Sequence, residues 1–195
     1  MGLRSLSKID QATSLNLGWE LLHSQDQWAS FLRSRVKRGH KFISYHIHSS
    51  IWSGIKEHMQ TIIDNSSWLL GNGDSINFWL DDWCGGPLVH MLNIPPYLHQ
   101  NLHAYGSDFI RNSQWRILLD LQNMFPSLLQ HVTSAFIPLS LREDEFSWKH
   151  NTSGTLSMKE AFQFISPIGT QRNWAKLIWN TVIPPSKSFL IWRAI

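Results

Sequence analysis

A stretch of sixteen residues, from Trp68 to Trp83, constrains the fold more than any other part of the chain. It holds three of the eleven tryptophans, which are far more than a chain of 195 residues usually carries. Each indole has a large apolar face and one N–H that needs an acceptor when it is buried. A folded form must therefore bury most of the tryptophans.

The same stretch predicts a β-hairpin. The sequence Gly71-Asn72-Gly73 supplies residues that tolerate positive φ, as a tight turn requires. Alternating apolar residues on either side predict strands over residues 67–70 and 75–80. A second hairpin is predicted where residues 145–149 precede a group of turn residues at 151–154.

Helical spacing of apolar residues dominates elsewhere. In the first third it predicts helices over residues 8–23, from Asp26 to Gly39, and from Ser50 onward. The buried side of the third helix is expected to carry Ile51, Ile55, Met59, Ile62 and Ile63. Further helices are predicted over 108–124, over 127–135, and after a Ser157–Glu160 capping box. The prediction is an α+β fold, mainly helical with two short β-hairpins, within a larger multidomain protein.

The chain is mildly basic, with a formal charge of +3 and a pI near 9.2. Much of this charge comes from one cluster, which consists of Arg33, Arg35, Lys37, Arg38 and Lys41. Such a cluster can contact several phosphates of RNA or DNA, and Tyr45 nearby can stack on bases. The alternative is a solvated helix end whose cations suit the helix dipole.

Two further groups of residues could bind metal ions, but each is better explained by a structural role or by scattered surface side chains. Asp81-Asp82 after an aromatic residue is similar to the paired carboxylates that hold catalytic metals, but no third carboxylate accompanies it. We expect a structural motif formed by Trp68, Gly71, Asn72, Gly73, Phe78, Trp79, Asp81 and Trp83. The segment Tyr45-His46-Ile47-His48 would place two imidazoles on one side of a strand, and Cys84 is a possible third ligand. Structural zinc usually has four ligands, so this set is too small. We predict no metal, cofactor or small-molecule substrate.

A single cysteine excludes an internal disulfide and fits a reducing, intracellular compartment. No stretch resembles a signal peptide, and none approaches the roughly 20 apolar residues of a membrane span. We therefore expect no membrane partner. The chain ends within an apolar pattern, which predicts that it was cut from a longer protein.

Three segments, in order, carry a family resemblance. They are Gly2 to Leu22, the Trp-x-x-Gly-Asn-Gly motif with Phe78-Trp79 and Trp83, and the segment from Phe146 to Ala194, which contains Pro184-Pro185 and Trp192-Arg193. Together they resemble plant non-LTR (LINE-type) retrotransposon reverse-transcriptase polyproteins, between the polymerase core and the zinc-binding segment.

The resemblance implies four parts. Residues 1–64 form a helical segment after the polymerase core, and residues 65–106 hold the tryptophan-rich hairpin and an irregular connection. Residues 107–170 contain helices and the second hairpin, and residues 171–195 begin a truncated zinc-binding segment. The implied role is a degenerate, non-catalytic connector that scaffolds adjacent modules in the nucleus or cytoplasm, and not an enzyme. The alternative is a weak nucleic-acid-binding module that uses Arg33 to Lys41.

Overall fold

The structure, a computed structural model, describes residues 6–38, 41–43, 45, 47–138, 142–166, 183, 184, 186–188 and 190. In this part of the chain helices dominate over three two-stranded antiparallel sheets, which confirms the α+β class. No helix within these residues is long and apolar enough to cross a membrane. The predictions for residues 171–182 and 191–195 lie outside the described residues.

The elements differ in length, and one connection, over residues 70–87, is long. The helices are α1 (Leu6–His23), α2 (Gln27–Val36), α3 (Ser50–Asp64), α4 (Leu88–Met91), α5 (Leu119–Met124), α6 (Leu128–Thr133) and α7 (Met158–Ile165). The strands are β1 (Lys37–Arg38), β2 (Lys41–Phe42), β3 (Ser66–Leu69), β4 (Ile110–Arg111), β5 (Gln114–Trp115) and β6 (Glu145–Trp148). Short 3₁₀ helices cover Pro96–Asn101 and Gly106–Phe109.

A first core forms where α1 packs against α3 and α7. Gly18 allows the close approach of α1 to α3, because a Cβ at this position would lie 2.5 Å from the Ile62 Cδ1 atom. The fully buried members include Leu15, Leu21, Trp52, Ile55, Ile62 and Trp148. Residues from both sides of the Trp68–Trp83 stretch therefore build this core.

Helix α3 begins where predicted, because the Ser49 side chain accepts a hydrogen bond from the Trp52 backbone N–H. Its buried face is displaced from the predicted one. Ile51 and Ile63 are exposed, and Trp52 takes a buried place that the prediction did not give it. Spacing of 52, 55, 59 and 62 keeps one stripe of the helix on the core.

The predicted capping box before α7 is confirmed. The Ser157 hydroxyl accepts from the Glu160 backbone N–H, and the Glu160 carboxylate accepts from the Ser157 backbone N–H at 2.8 Å. Ala161 is buried, and Phe162 and Ile165 pack against the first core. Local chemistry alone fixes the start of this helix.

A second core is built around the aromatic residues of the Trp68–Trp83 stretch. The ring centroids of Phe78 and Phe109 lie 4.0 Å apart, and those of Trp83 and Trp115 lie 5.1 Å apart. Helices α4 and α6 contribute Leu88, Val89, Leu128 and Val132. Of the eight tryptophans in the described residues, five are buried and three are half-buried, as their apolar area requires.

Both predicted hairpins are wrong in position. β3 pairs with β6, with Trp68 opposite Phe146. The first strands of the two predicted hairpins therefore pair with each other in one long-range sheet. Residues 75–80 form no strand: Asn77 makes an isolated bridge to Tyr105, and residues 78–80 form a turn. In place of the second predicted hairpin, the Trp148 backbone N–H donates a hydrogen bond to the Gly154 carbonyl, and residues 154–156 form no strand.

Two short hairpins do occur, at other places. β1 pairs with β2 and β4 pairs with β5. The β4–β5 hairpin interrupts the helix predicted over 108–124, of which only α5 remains. Asn112 and Ser113 adopt φ of 52° and 55° at its tip, a conformation that a helix cannot continue through and that asparagine tolerates well.

Candidate functional site

The Gly71–Ser75 loop surrounds the carboxylate of Asp144. Its Oδ1 atom accepts hydrogen bonds from the backbone N–H groups of Gly71 at 2.7 Å and Gly73 at 2.9 Å. Its Oδ2 atom accepts from the Ser75 N–H at 2.9 Å. Bonds to an ionised acceptor are the stronger kind, so one side chain stabilises the whole loop.

Contacts with backbone atoms explain the two glycines. A Cβ at Gly71 would lie 2.4 Å from the carbonyl oxygen of Arg142. At Gly73 it would lie 2.5 Å from the Ser107 nitrogen, and the φ of +81° already disfavours a side chain. The predicted need for glycine is therefore met by close packing of backbones and not by a hairpin turn.

Asn77 forms the turn that replaces the second predicted strand. Its Oδ1 atom accepts from the backbone N–H groups of Trp79 at 3.0 Å and Leu80 at 2.9 Å. Its own backbone N–H donates to Asp81 Oδ2 at 2.7 Å. Such side-chain-to-backbone bonds compete with a strand ladder and turn the chain. The indole N–H of Trp83 donates to the Phe78 carbonyl at 2.9 Å.

Asp81 and Asp82 serve different neighbours. Asp81 caps the Asn77 turn, whereas Asp82 Oδ2 lies 2.6 Å from Lys149 Nζ. Lys149 also donates to the Asp64 carbonyl at 3.2 Å, at the end of α3. The predicted role as a turn acceptor is confirmed for Asp81. Asp82 instead forms an ion pair with Lys149, which directly follows β6. Among the described residues no three His, Cys, Asp or Glu side chains lie together as a metal would need.

Cys84 lies beside this ion pair. Burial, and next the negative charge of Asp82, raise the pKa of its thiol from 9.0 to about 12. The thiol contacts the Gly86 carbonyl at 3.6 Å. At neutral pH the side chain is a protonated thiol, which is the unreactive form.

The basic cluster spans a helix end and a hairpin. Arg33 and Arg35 lie in the last turn of α2, while Lys37 and Arg38 form β1 and Lys41 lies in β2. The helix predicted from Asp26 to Gly39 ends earlier than expected, because α2 stops at Val36 and Lys37 has extended backbone. Gly39, the predicted helix stop, lies outside the described residues.

Two of the arginines have structural partners. The Arg33 guanidinium donates to the Leu21 carbonyl at 2.7 Å, which satisfies an open acceptor near the end of α1. The Arg38 guanidinium donates to the Ser34 carbonyl at 2.9 Å and to the Lys37 carbonyl. Arg35, Lys37 and Arg38 are exposed, whereas Arg33 is half-buried.

Charge is unevenly distributed along the chain. Residues 27–56 hold six of the seventeen Lys and Arg residues and none of the fourteen Asp and Glu residues. The rest of the chain therefore has eleven cations against fourteen acids. A positive surface without internal carboxylates attracts polyanions more strongly than its net charge alone indicates.

Of the predicted histidine strand, the described residues 45, 47 and 48 do not lie in a strand. Tyr45 and His48 lie in bends and Ile47 in irregular backbone, and His46 lies outside the described residues. Tyr45 itself is exposed.

Sequence reasoning missed Asp144, Lys149 and Asn77. Asp144 lies 73 residues after its partner Gly71, and Lys149 lies 67 residues after its partner Asp82. No local sequence pattern could therefore predict these contacts. Asn77 did carry a signal, since asparagine two residues before a tight turn is a common turn former.

Comparisons with known proteins give one relative. A candidate ribonuclease H protein of Arabidopsis thaliana is 21% identical over 212 aligned residues, which cover 98% of this chain. The chain spans 33% of that relative's length. No family model matches the chain, and no solved structure matches it.

This comparison corrects the expectation that the chain is not an enzyme. The Arabidopsis relative takes its name from an enzyme family, and the similarity extends over nearly the whole chain. The expectation follows from the resemblance to a region between a polymerase core and a zinc-binding segment, and that resemblance does not address a ribonuclease H relationship.

Proposed function

We propose that the chain is a connecting segment of a larger retrotransposon-type polyprotein with a ribonuclease H relationship. In this role the two cores form a spacer that positions neighbouring modules. The observation that carries the proposal is the burial of the motif side chains Ile76, Phe78, Trp79 and Trp83 in a core that they share with distant residues. Full-length similarity to one third of a ribonuclease H-type protein supports the same role.

Binding to the remainder of the relative tests the connecting role. The chain would be immobilised and titrated with the two thirds of the Arabidopsis protein that the similarity does not cover. We expect saturable binding, which a Gly71→Asp variant loses because it disrupts the second core, and which Gly54→Ala on the exposed side of α3 retains. Absence of binding by the folded wild type would refute the connecting role.

A second proposed function is nucleic-acid binding through the basic surface of α2 and β1. It is favoured by the run of residues 27–56, in which cations occur without any carboxylate. Arg35 and Lys37 are the residues we assign to phosphate contacts, because they are exposed and Arg33 is occupied by the Leu21 carbonyl. Each phosphate contact releases counterions and so makes affinity fall with salt.

Fluorescence anisotropy with labelled RNA at several salt concentrations tests this function. The double variant Arg35→Ala/Lys37→Ala should bind more weakly and show a salt slope smaller by about 1.4 for single strands. The control Arg111→Ala/Arg116→Ala removes the same charge from exposed positions around the β4–β5 hairpin and should bind like wild type. Equal losses in both variants would mean that only net charge matters, and no loss in either would remove the assigned site.

A further inference from the structure

The exposed side of α2 carries an aromatic ring. Phe31 is 63% exposed and shares this side with Ser30, Ser34 and Arg35. The other side of the helix is buried and consists of Ala29, Leu32 and Val36. Core packing therefore does not account for a phenylalanine at this position.

Arg35 is placed over that ring. Its guanidinium carbon lies 5.5 Å from the ring centroid of Phe31, as expected for residues four apart on a helix. A guanidinium above an aromatic face is attracted by the ring quadrupole. The pair thus presents a planar cation and an aromatic ring together, with much of the ring still open to solvent.

An exposed apolar side chain is ordinary by itself. Phe136 is 77% exposed, and its neighbours along the chain are Ala135 and Ile137. Phe31 differs because its surroundings are cationic: Arg35 contacts it, and Lys37 and Arg38 follow on β1. The nearest carboxylate along the chain is Asp26, which precedes α2.

We propose that the Phe31–Arg35 pair is a stacking site for an unpaired base of single-stranded RNA or DNA. The inference rests on the proposed nucleic-acid-binding function and names its substrate class. Bases within a duplex already stack on their neighbours, whereas an unpaired base can place its ring against Phe31 while the adjoining phosphates meet Arg35 and Lys37. Stacking uses the face that every base has, so little sequence preference is expected.

The test compares a labelled oligouridylate of about 12 nucleotides with an RNA duplex of the same length. Phe31→Ala should weaken binding of the single strand about fivefold to 100-fold and leave duplex binding unchanged. Phe31→Trp should restore single-strand binding, because a larger ring stacks at least as well. The control Phe136→Ala removes an even more exposed ring from residues 117–141, which hold no Lys or Arg, and should have no effect.

Two results separate this inference from the function it depends on. Unchanged single-strand binding in Phe31→Ala, with weakened binding in Arg35→Ala/Lys37→Ala, would overturn the stacking site and keep the basic surface. Unchanged binding in both variants would overturn both. Circular dichroism of each variant checks that α2 still forms, which is expected because the Phe31 side chain is largely outside the core.

Discussion

Single glycines in the Trp68–Trp83 stretch are required by neighbouring backbones. The carbonyl oxygens of Arg142 and Glu143 occupy the space that a Cβ at Gly71 would need. Backbone atoms cannot rotate away as a flexible side chain can, so a methyl group must displace the whole segment. The same loop depends on the Asp144 carboxylate for three of its hydrogen bonds.

Gly71→Ala should destabilise the protein by about 2 kcal/mol or more, because overpacking in a fixed environment costs this much. The matched change Gly54→Ala should stabilise it by up to about 1 kcal/mol, since a Cβ there lies 3.6 Å from only Ser14 Oγ and alanine favours a helix. Urea denaturation at constant m-value measures both. Similar effects of the two substitutions would contradict the backbone contact as the cause.

Cys84 should resist thiol reagents in the folded protein. With its pKa raised from 9.0 to about 12, the thiolate fraction at pH 8 is about 1000-fold lower than in the unfolded chain. Reaction with a chromogenic disulfide should therefore be slow in buffer and fast in urea. Asp82→Asn removes the smaller of the two causes and should speed the native reaction only slightly. Equal rates in buffer and urea would show that the thiol is not buried.

Elements whose signals are local could be predicted from the sequence. The start of α7 depends on Ser157 and Glu160 alone, and α1 and α3 follow from apolar spacing. Strand partners could not be predicted in the same way. The residues of β3 and β6 alternate as strands do, but nothing in either segment states that its partner lies more than seventy residues away.

In the candidate site, too, residue types could be predicted from the sequence but long-range contacts could not. The cations of the basic surface were visible as residue types, but whether each is exposed depends on packing. Arg33 turns inward to the Leu21 carbonyl, and Arg35 stacks on Phe31. Which acids approach the Gly71–Ser75 loop also depends on the path of the chain between residues 75 and 144. Physical contact, and not residue type, therefore decided the roles of these side chains.

The capping box gives α7 a pH dependence. A hydrogen bond from the Ser157 hydroxyl, and next one from its backbone, hold the pKa of the Glu160 carboxyl below its ordinary value of 4.5. A lowered pKa stabilises the folded state at pH above 4.5, and this stabilisation is lost as pH falls through the folded-state pKa. Because Glu160 is partly exposed to solvent, the electrostatic part should amount to about a few tenths of a kcal/mol.

Thermal unfolding at neutral pH and at about pH 3 tests this dependence. Glu160→Gln should lower stability slightly at neutral pH and have a smaller effect at the acidic pH, because the stabilisation by the carboxylate is lost as pH falls through its lowered folded-state pKa. Ser157→Ala should cost about 1 kcal/mol at neutral pH, because a cap acceptor is lost. Glu57→Gln, at an exposed position of α3, should change stability by less than about 0.5 kcal/mol at neutral pH. A Glu160→Gln effect that is as large at acidic pH as at neutral pH would contradict the charge-based explanation.

At the scale of the whole molecule, the two cores meet at the β3–β6 sheet. Trp68 packs against the second core and lies 5.0 Å, between ring centroids, from Phe146, which packs against the first. The Lys149–Asp82 ion pair joins the same two regions. Both connections are long-range, so they couple the stability of one core to the other.

A double-mutant cycle measures the ion-pair coupling. Lys149→Met should destabilise the protein by about 1 kcal/mol, because it leaves the half-buried Asp82 carboxylate without its cation while the lysine side chain is partly solvated. Lys149→Met/Asp82→Asn should cost less than the sum of the single changes. Lys8→Met, at an exposed position on α1, should have no measurable effect. Simple additivity would show that the pair does not couple the cores.

The pairing of β3 with β6 also decides the order in which the chain can fold. Residues 70–137, which build the second core, are nested between two halves of the first. During synthesis the nested unit is complete before β6 and α7 have left the ribosome, so at that stage Trp19 of α1 still lacks its contacts with Phe146 and Trp148. Prior compaction of the nested unit shortens the loop that β6 must close and lowers its entropy cost.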